Sequence, residues 1–439
     1  MNNPDRQRYL DRRLGLGSAT AAVAGEVIGV GIFLTPAGMA RQLGSPFWLL
    51  IVWLFMGVMA LAGALCFGGL AARFPAAGGA YVYLREAYGP RLAFLYGWMQ
   101  LLVIDPGVTA SLAVGMAAYT ATIIHLSSAE QKMLGISAIL ILAAVNMRGA
   151  RLGGGVLQLL TWLKIAALAF IPVWAIAFGR GNWAHFSPFI SQRPGSVPLF
   201  LALAGGCTGA FYSFGGWWEA TKISEEVRDP QWVMPRALVI GVSVVILVYI
   251  LVSAVFIYLV PIGQIRSDET FMAQAGRRLF GPGGGDVMAA LVVLCVAGSI
   301  AALMMLSPRV YYSMARDGLF FHAVAEVHPR FGTPAHAIAV QCVLASLLVL
   351  IGTFSQIVAY FVFVAVAFLG LTVAGIIWLR LRSPNGLLLR VPGYPYTPLA
   401  FLTLVAFLLV LLAAHNPLQA FLGVAVVSLG IPAFRLVQG

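Results

Sequence analysis

The sequence predicts an all-α polytopic membrane protein of about twelve transmembrane helices in one membrane domain, and three observations carry that reading. Of 439 residues, 61% are hydrophobic and only 10% charged, with a mean hydropathy of +0.92; no soluble globular protein needs so much apolar surface. Apolar stretches of about 20 residues, the length that crosses a bilayer, recur between short polar connections. Two of those stretches are interrupted by glycines near an acid, at corresponding places in the two halves of the chain. Such pairs point to inverted repeats.

Taken in order, the spans fall at about 16–40, 46–72, 92–124, 134–150, 156–178, 198–223, 236–260, 285–313, 335–353, 355–380, 396–414 and 416–435. Five spans form each repeat, about 14–178 and about 198–382, with two accessory helices over about 396–435. Because five is odd, the second repeat enters the membrane from the opposite side. With the N-terminus in the cytoplasm, nineteen Lys and Arg fall inside. Seven fall outside (Arg41, Lys132, Arg180, Arg193, Arg266, Arg277, Arg278), and Lys164 lies within a span. This asymmetry favours both termini in the cytoplasm of a cell-membrane protein. It also accounts for the net charge of +12 without nucleic acid, since the arginines sit at span ends. Met1 to Arg13 is charged and not followed by a small-residue cleavage site, so no removable signal peptide is expected. Cys66, Cys207, Cys295 and Cys342 all lie in apolar segments at no metal-ligand spacing, which reads as core filling.

The first span contains Gly25-Glu26-Val27-Ile28-Gly29-Val30-Gly31-Ile32-Phe33-Leu34-Thr35-Pro36. Each interior glycine costs about 1 kcal/mol relative to alanine, and Pro36 cannot donate to the helical ladder, so a break is predicted here. In hydrocarbon a break survives only where it is buried in protein or lines a cavity. The half-helix before it offers carbonyls to a cation, and the one after it aims N–H groups and a positive dipole end at an anion. That is half of a site for a zwitterion.

Between the second and third spans, residues 74–90 are too polar and interrupted to cross, and their aromatics suit a short helix lying at the cytoplasmic face. The sixth span repeats the anomaly of the first, with Gly215-Gly216 interrupting the apolar run and Glu219 close by. After it comes a charged exit, Lys222 to Pro230, whose acids are expected to pair with nearby arginines.

Gly29-Val30-Gly31-Ile32-Phe33 resembles the Gly-Ser-Gly-Ile-Phe signature of the amino acid–polyamine–organocation superfamily, whose members share the LeuT fold. Pro75 to Tyr81, Phe94 to Trp98 leading into Pro106, and Tyr212 to Trp217 followed by Glu225-Glu226 strengthen the resemblance, which is greatest to the L-type amino acid transporter branch. The resemblance implies that amides of Gly29, Val30 and Gly31 hold a substrate carboxylate. It also implies that carbonyls near Val27 and at Tyr212, Ser213 and Gly215 hold its ammonium, and that Tyr212 gates the site. Val30 departs from the common serine and removes one hydroxyl donor. Lys164 matches a lysine that in relatives lies beside the first break, where sodium-coupled cousins bind sodium, so the resemblance implies sodium-independent transport. A buried ammonium that released its proton would couple transport to a proton gradient instead. L-type carriers in animals join a glycoprotein through an extracellular-loop cysteine; with all four cysteines in spans, no disulfide-linked subunit is expected here.

Glu26, Asp105, Lys164 and Glu219 are the ionisable groups within spans. Insertion scales put such charges at about 2.5 kcal/mol or more at mid-membrane, so each is expected to face the bundle interior. Lys164 either snorkels to the interface or serves the site. Glu26 and Glu219 are possible pocket acids, Glu26 alternatively compensating Lys164 and Glu219 alternatively pairing with Lys222. Trp217 and Trp218 crowd the site either as packing or as a limit on side-chain volume.

The resulting expectation is a secondary amino acid transporter, exchanging neutral L-amino acids by alternating access. A proton-coupled symporter or a carrier of cationic amino acids or polyamines is the same-fold alternative, motivated by Glu26 and Glu219. A channel is more distant, because no filter-like loop is visible. An enzyme is not expected. His125, His185, His322, His328, His336 and His415 form no metal constellation, and no nucleophile elbow or phosphate-binding loop appears.

Overall fold

The structure is a computed structural model and describes residues 12, 14–148, 153–265, 271–281, 283–320, 333, 335–382 and 390–438. Arg6, Arg8, Arg13, Arg151, Arg266 and Arg330 from the charge count, with His322 and His328, lie outside the described residues. Among those described, nine helices are each long and apolar enough to cross a membrane. A bent pair, Leu16–Val27 with Gly31–Leu43, supplies a tenth span, and two further apolar helices, Trp162–Ala177 and Ala335–Ile351, are shorter, against the expectation of about twelve spans.

In chain order the helices are α1 (Leu16–Val27), α2 (Gly31–Leu43), α3 (Pro46–Arg73), α4 (Ala80–Tyr88), α5 (Pro90–Met99), α6 (Asp105–Ile123), α7 (Ser128–Met147), α8 (Gly153–Ala177), α9 (Leu199–Phe214), α10 (Pro230–Leu259), α11 (Phe271–Phe280), α12 (Gly284–Leu306) and α13 (Pro308–Arg316). They continue as α14 (Ala335–Ile351), α15 (Phe354–Arg382), α16 (Tyr396–His415) and α17 (Pro417–Gln438). Local chemistry sets several starts. Ser45 caps α3 by accepting the Trp48 N–H ahead of Pro46, and Ser127 with Glu130 closes a capping box on α7.

The first span breaks over Ile28–Val30 and bends by 44°. Pro36 lies inside α2 and does not contribute to the break; its missing N–H forfeits one bond within the helix. The sixth span stops at Phe214, turns at Gly215 and Gly216, and resumes as a 3₁₀-helix over Glu219–Glu226. Gly216 has φ +106°, a conformation that L side chains rarely adopt. The third span carries an unforeseen feature, a π-helical turn at Gln100–Ile104 between α5 and α6. Such turns recur at functional sites.

Residues 74–90 form the expected short helix, α4. Around it one end of the bundle is tied shut. The Ala77 N–H donates to Glu225 at 3.0 Å and Ser313 to the Ala77 carbonyl at 2.7 Å. Tyr81 donates to Asp317 at 2.7 Å, and Arg85 pairs with the same carboxylate. Burial, and then the bond to Asp317, push the Tyr81 hydroxyl well above the ordinary tyrosine range. Leu14 bridges to this end by accepting from Arg228 N–H and donating to the Glu226 carbonyl. The exit acid Glu225 thus accepts from the main chain ahead of α4.

Lys222 corrects the charge count: it is 1% exposed and ion-paired with Glu219, so it is an intramembrane charge and not a loop charge. Apolar side chains that stand exposed, such as Leu140 and Ile141 on α7, Val173 on α8 and Phe421 on α17, suit a lipid-facing surface. The four cysteines are buried and free.

Candidate functional site

The two breaks cross one another. A Cβ on Gly31 would lie 2.6 Å from the Ser213 Cα, and one on Gly216 would lie 2.8 Å from the Glu26 carbonyl oxygen. Only glycine lets the backbones approach so closely. The crossing is pinned by Thr35 Oγ1 to Ser213 Oγ at 2.6 Å. A second pin is the Tyr249 hydroxyl on α10, which reaches the Val27 carbonyl at 2.9 Å and the Ser213 carbonyl at 3.1 Å. Two of the carbonyls expected to receive an ammonium therefore already share one hydroxyl proton.

Beside the crossing lies a cavity of about 80 Å³, room for roughly five to eight waters. Val27, Gly29, Val30, Gly31, Tyr212 and Gly215 line it, as does Glu26. At the start of α2 the N–H groups of Val30 and Gly31 have no intrahelical acceptor, so the positive end of a 13-residue helix opens on the cavity. Gly29 differs from expectation here, because its N–H donates to the Val27 carbonyl at 2.8 Å. On the opposite wall Tyr212 stacks edge-on to Phe354 (5.4 Å between ring centres), lies tilted against Phe361 (6.0 Å), and its hydroxyl meets Ser111 Oγ at 2.9 Å.

Ser213 and Trp217 do not line the cavity. Ser213 is spent on the crossing, while Trp217 packs against Phe67 and Gly63 beside a separate apolar void. Trp218 faces the cavity in its place. Lys164 is 2% exposed, so it does not snorkel; its Nζ donates to Ser299 Oγ at 2.7 Å, and Ser299 lines the cavity. The expected contact of Lys164 with carbonyls of the first break is thus replaced by one through Ser299 on α12.

One side of the cavity is acidic. Asp105, the first residue after the π-turn, and Glu219, the first of the 3₁₀-helix, both line it. Asp105 accepts from Tyr311, Glu219 pairs with Lys222, and Gln100 Nε2 approaches Glu219 at 3.5 Å. Glu219 pairs with Lys222, one of the two alternatives the sequence left open, and also lines the cavity. Tyr311, Ser299 and Tyr249 were not foreseen. Among the described residues no group of three or more His, Cys, Asp or Glu is arranged to hold a metal ion.

Comparison with known proteins adds to this geometry. Residues 14–427 match the model of a protein family described as amino acid permease. The chain is 27% identical to the serine/threonine exchanger SteT of Bacillus subtilis (strain 168), over 97% of this chain and 96% of that protein. It is 29% identical to the human b(0,+)-type amino acid transporter 1, over 92% of this chain and 82% of the relative. It is 28% identical to the human large neutral amino acids transporter small subunit 2, over 97% and 80% respectively.

Proposed function

Because the chain belongs to the amino acid permease family, whose members are transporters and not enzymes, we propose that it is a sodium-independent carrier exchanging neutral L-amino acids by alternating access. The observation that carries this reading is the crossing of two broken spans beside one cavity, with the amides of Val30 and Gly31 opening on it. A carboxylate is stabilised by those amides and the α2 dipole, and Val30, Val108, Leu112 and Phe361 supply an apolar wall for the side chain. The α-ammonium is received by main-chain carbonyls at the breaks, where it competes with the Tyr249 hydroxyl for Val27 and Ser213. Exchange is supported by the likeness to SteT, a serine/threonine exchanger.

In this reading Tyr212 is the gate, its ring closing the cavity against Phe354 and Phe361. Lys164 supplies through Ser299 the fixed positive charge that a sodium ion would otherwise bring. The repeats run over about 14–178 and about 198–382, with both termini cytoplasmic in the cell membrane and no disulfide-linked subunit. Uptake of radiolabelled leucine and alanine into proteoliposomes tests the proposal. The expected result is uptake that requires internal amino acid and is unchanged when choline replaces sodium. Dependence on sodium, or conductance beyond carrier turnover, overturns it.

A further inference from the structure

Tyr249 reaches the crossing from outside both breaks. It stands on α10, which runs unbroken over Pro230–Leu259, and it is fully buried without lining the cavity. Trp53 on α3 (5.4 Å between ring centres) and Phe214 on α9 (5.2 Å) hold its ring, so the oxygen is fixed and only its proton can turn. That hydroxyl carries a single proton and faces two acceptors, the Val27 carbonyl at 2.9 Å and the Ser213 carbonyl at 3.1 Å. Both are longer than the usual O–H···O spacing of about 2.7–2.8 Å, as one proton divided between two oxygens gives.

The two carbonyls are not equivalent. Val27 lines the cavity and Ser213 does not. A carbonyl oxygen has two lone pairs, and at Val27 both are taken, by the Gly29 N–H at 2.8 Å and by Tyr249. An ammonium that binds Val27 must therefore displace one of these donors. The Gly29 N–H is held there by the chain, whereas the hydroxyl has a second acceptor already within reach. Ser213 lies in the last turn of α9, beyond which the helix supplies no N–H to its carbonyls, so it gains a whole proton where it had a share.

We propose that Tyr249 is a positioning residue that passes occupancy of the first break to the second: the substrate's α-ammonium takes the Val27 carbonyl, the hydroxyl turns wholly to Ser213, and the end of α9 is tied to α10 in full only when the cavity is loaded. This role rests on the carrier reading above and gives α9 a response to a substrate that Ser213 does not touch. A tie completed only in the loaded site favours reorientation of the loaded carrier over the empty one, which is what exchange requires.

The test uses full-length protein in proteoliposomes, with alanine as the probe. In Tyr249→Phe the kcat of exchange into alanine-loaded vesicles should fall about fivefold, the worth of one hydrogen bond. KM should stay within about twofold, and alanine should still raise the melting temperature of the purified variant. A KM that rises in step with the fall in kcat would make Tyr249 a structural prop, and an unchanged kcat would leave it no part in transport; either overturns the proposal while the carrier stands. Should Tyr249→Phe not fold, Tyr249→para-aminophenylalanine keeps the ring and offers two N–H donors, one for each carbonyl. The tie is then complete without substrate, so uptake into vesicles lacking internal amino acid should rise about fivefold over wild type; uptake at the wild-type level overturns the proposal. If alanine neither crosses with the wild-type protein nor stabilises it, the carrier reading fails and the role of Tyr249 with it.

Discussion

The two breaks look alike in sequence and differ in what they offer. The first, over Ile28–Val30, resumes as a full α-helix, so its contribution is main-chain N–H groups and a dipole end. The second, at Gly215 and Gly216, resumes as a 3₁₀-helix whose first residue is a buried acid held by a lysine three residues on. In the proposed function the first break receives the groups that all amino acids share. The second brings a side-chain charge, Glu219, to the cavity.

This contrast can be broken at several points. The largest effect is expected from Glu219→Gln, which leaves Lys222 buried without its ion-pair partner. Removing one partner of a buried pair costs about 3–5 kcal/mol, so the detergent-solubilised variant should melt well below wild type. Adding Lys222→Met should recover much of that loss. If the single variant melts with wild type, the ion pair is not what holds the second break.

At the first break, Gly31→Ala drives a Cβ into the Ser213 backbone, whereas the nearest atom to a Cβ on Gly29 is Leu112 Cδ2 at 3.8 Å. A misplacement of about 1 Å can cost about a hundredfold in activity, and exchange by Gly31→Ala should fall by that order. Gly29→Ala should lose far less. Equal losses in the two variants would mean that the crossing does not depend on the close approach at Gly31.

The two tryptophans sharpen the same comparison. Trp218 faces the cavity and Trp217 faces Phe67 and Gly63, so Trp218→Ala should shift the ratio of leucine to alanine uptake, by roughly tenfold. Trp217→Ala should lower the melting temperature and leave that ratio nearly alone. A widened substrate range in Trp217→Ala would reverse the assignment.

The breaks and the apolar spans were legible because glycine and hydropathy are local signals: Gly29 and Gly31, and then Gly215-Gly216, interrupt runs that are otherwise uniformly apolar. The orientation of side chains at the breaks was not. Whether Trp217 or Trp218 faces the cavity depends on the turn that Gly216 makes at φ +106°, and adjacent tryptophans carry no periodicity to decide it. For Lys164 the sequence left snorkelling and a role at the site both open, and its partner Ser299 is 135 residues away on another helix. Tyr249 was missed for a related reason, since a tyrosine in an apolar span is unremarkable until the Val27 and Ser213 carbonyls converge on its hydroxyl. The π-turn that delivers Asp105 likewise left no trace, because Gln100 to Ile104 reads as ordinary helix.

The smallest effect separates the two parts of the gate. Tyr212 contributes a ring, held by Phe354 and Phe361, and a hydroxyl, held by Ser111. Tyr212→Phe keeps the ring and removes one hydrogen bond, worth about 1 kcal/mol or about fivefold in apparent affinity. Ser111→Ala removes the same bond from the other side, although its hydroxyl also donates to the Val108 carbonyl. If the bond is what each loss reports, the double variant should be no worse than the poorer single, because groups in contact are not additive. Losses that multiply to about twenty-five-fold would show that the two hydroxyls act separately and that their mutual bond is not what holds the Tyr212 ring in place.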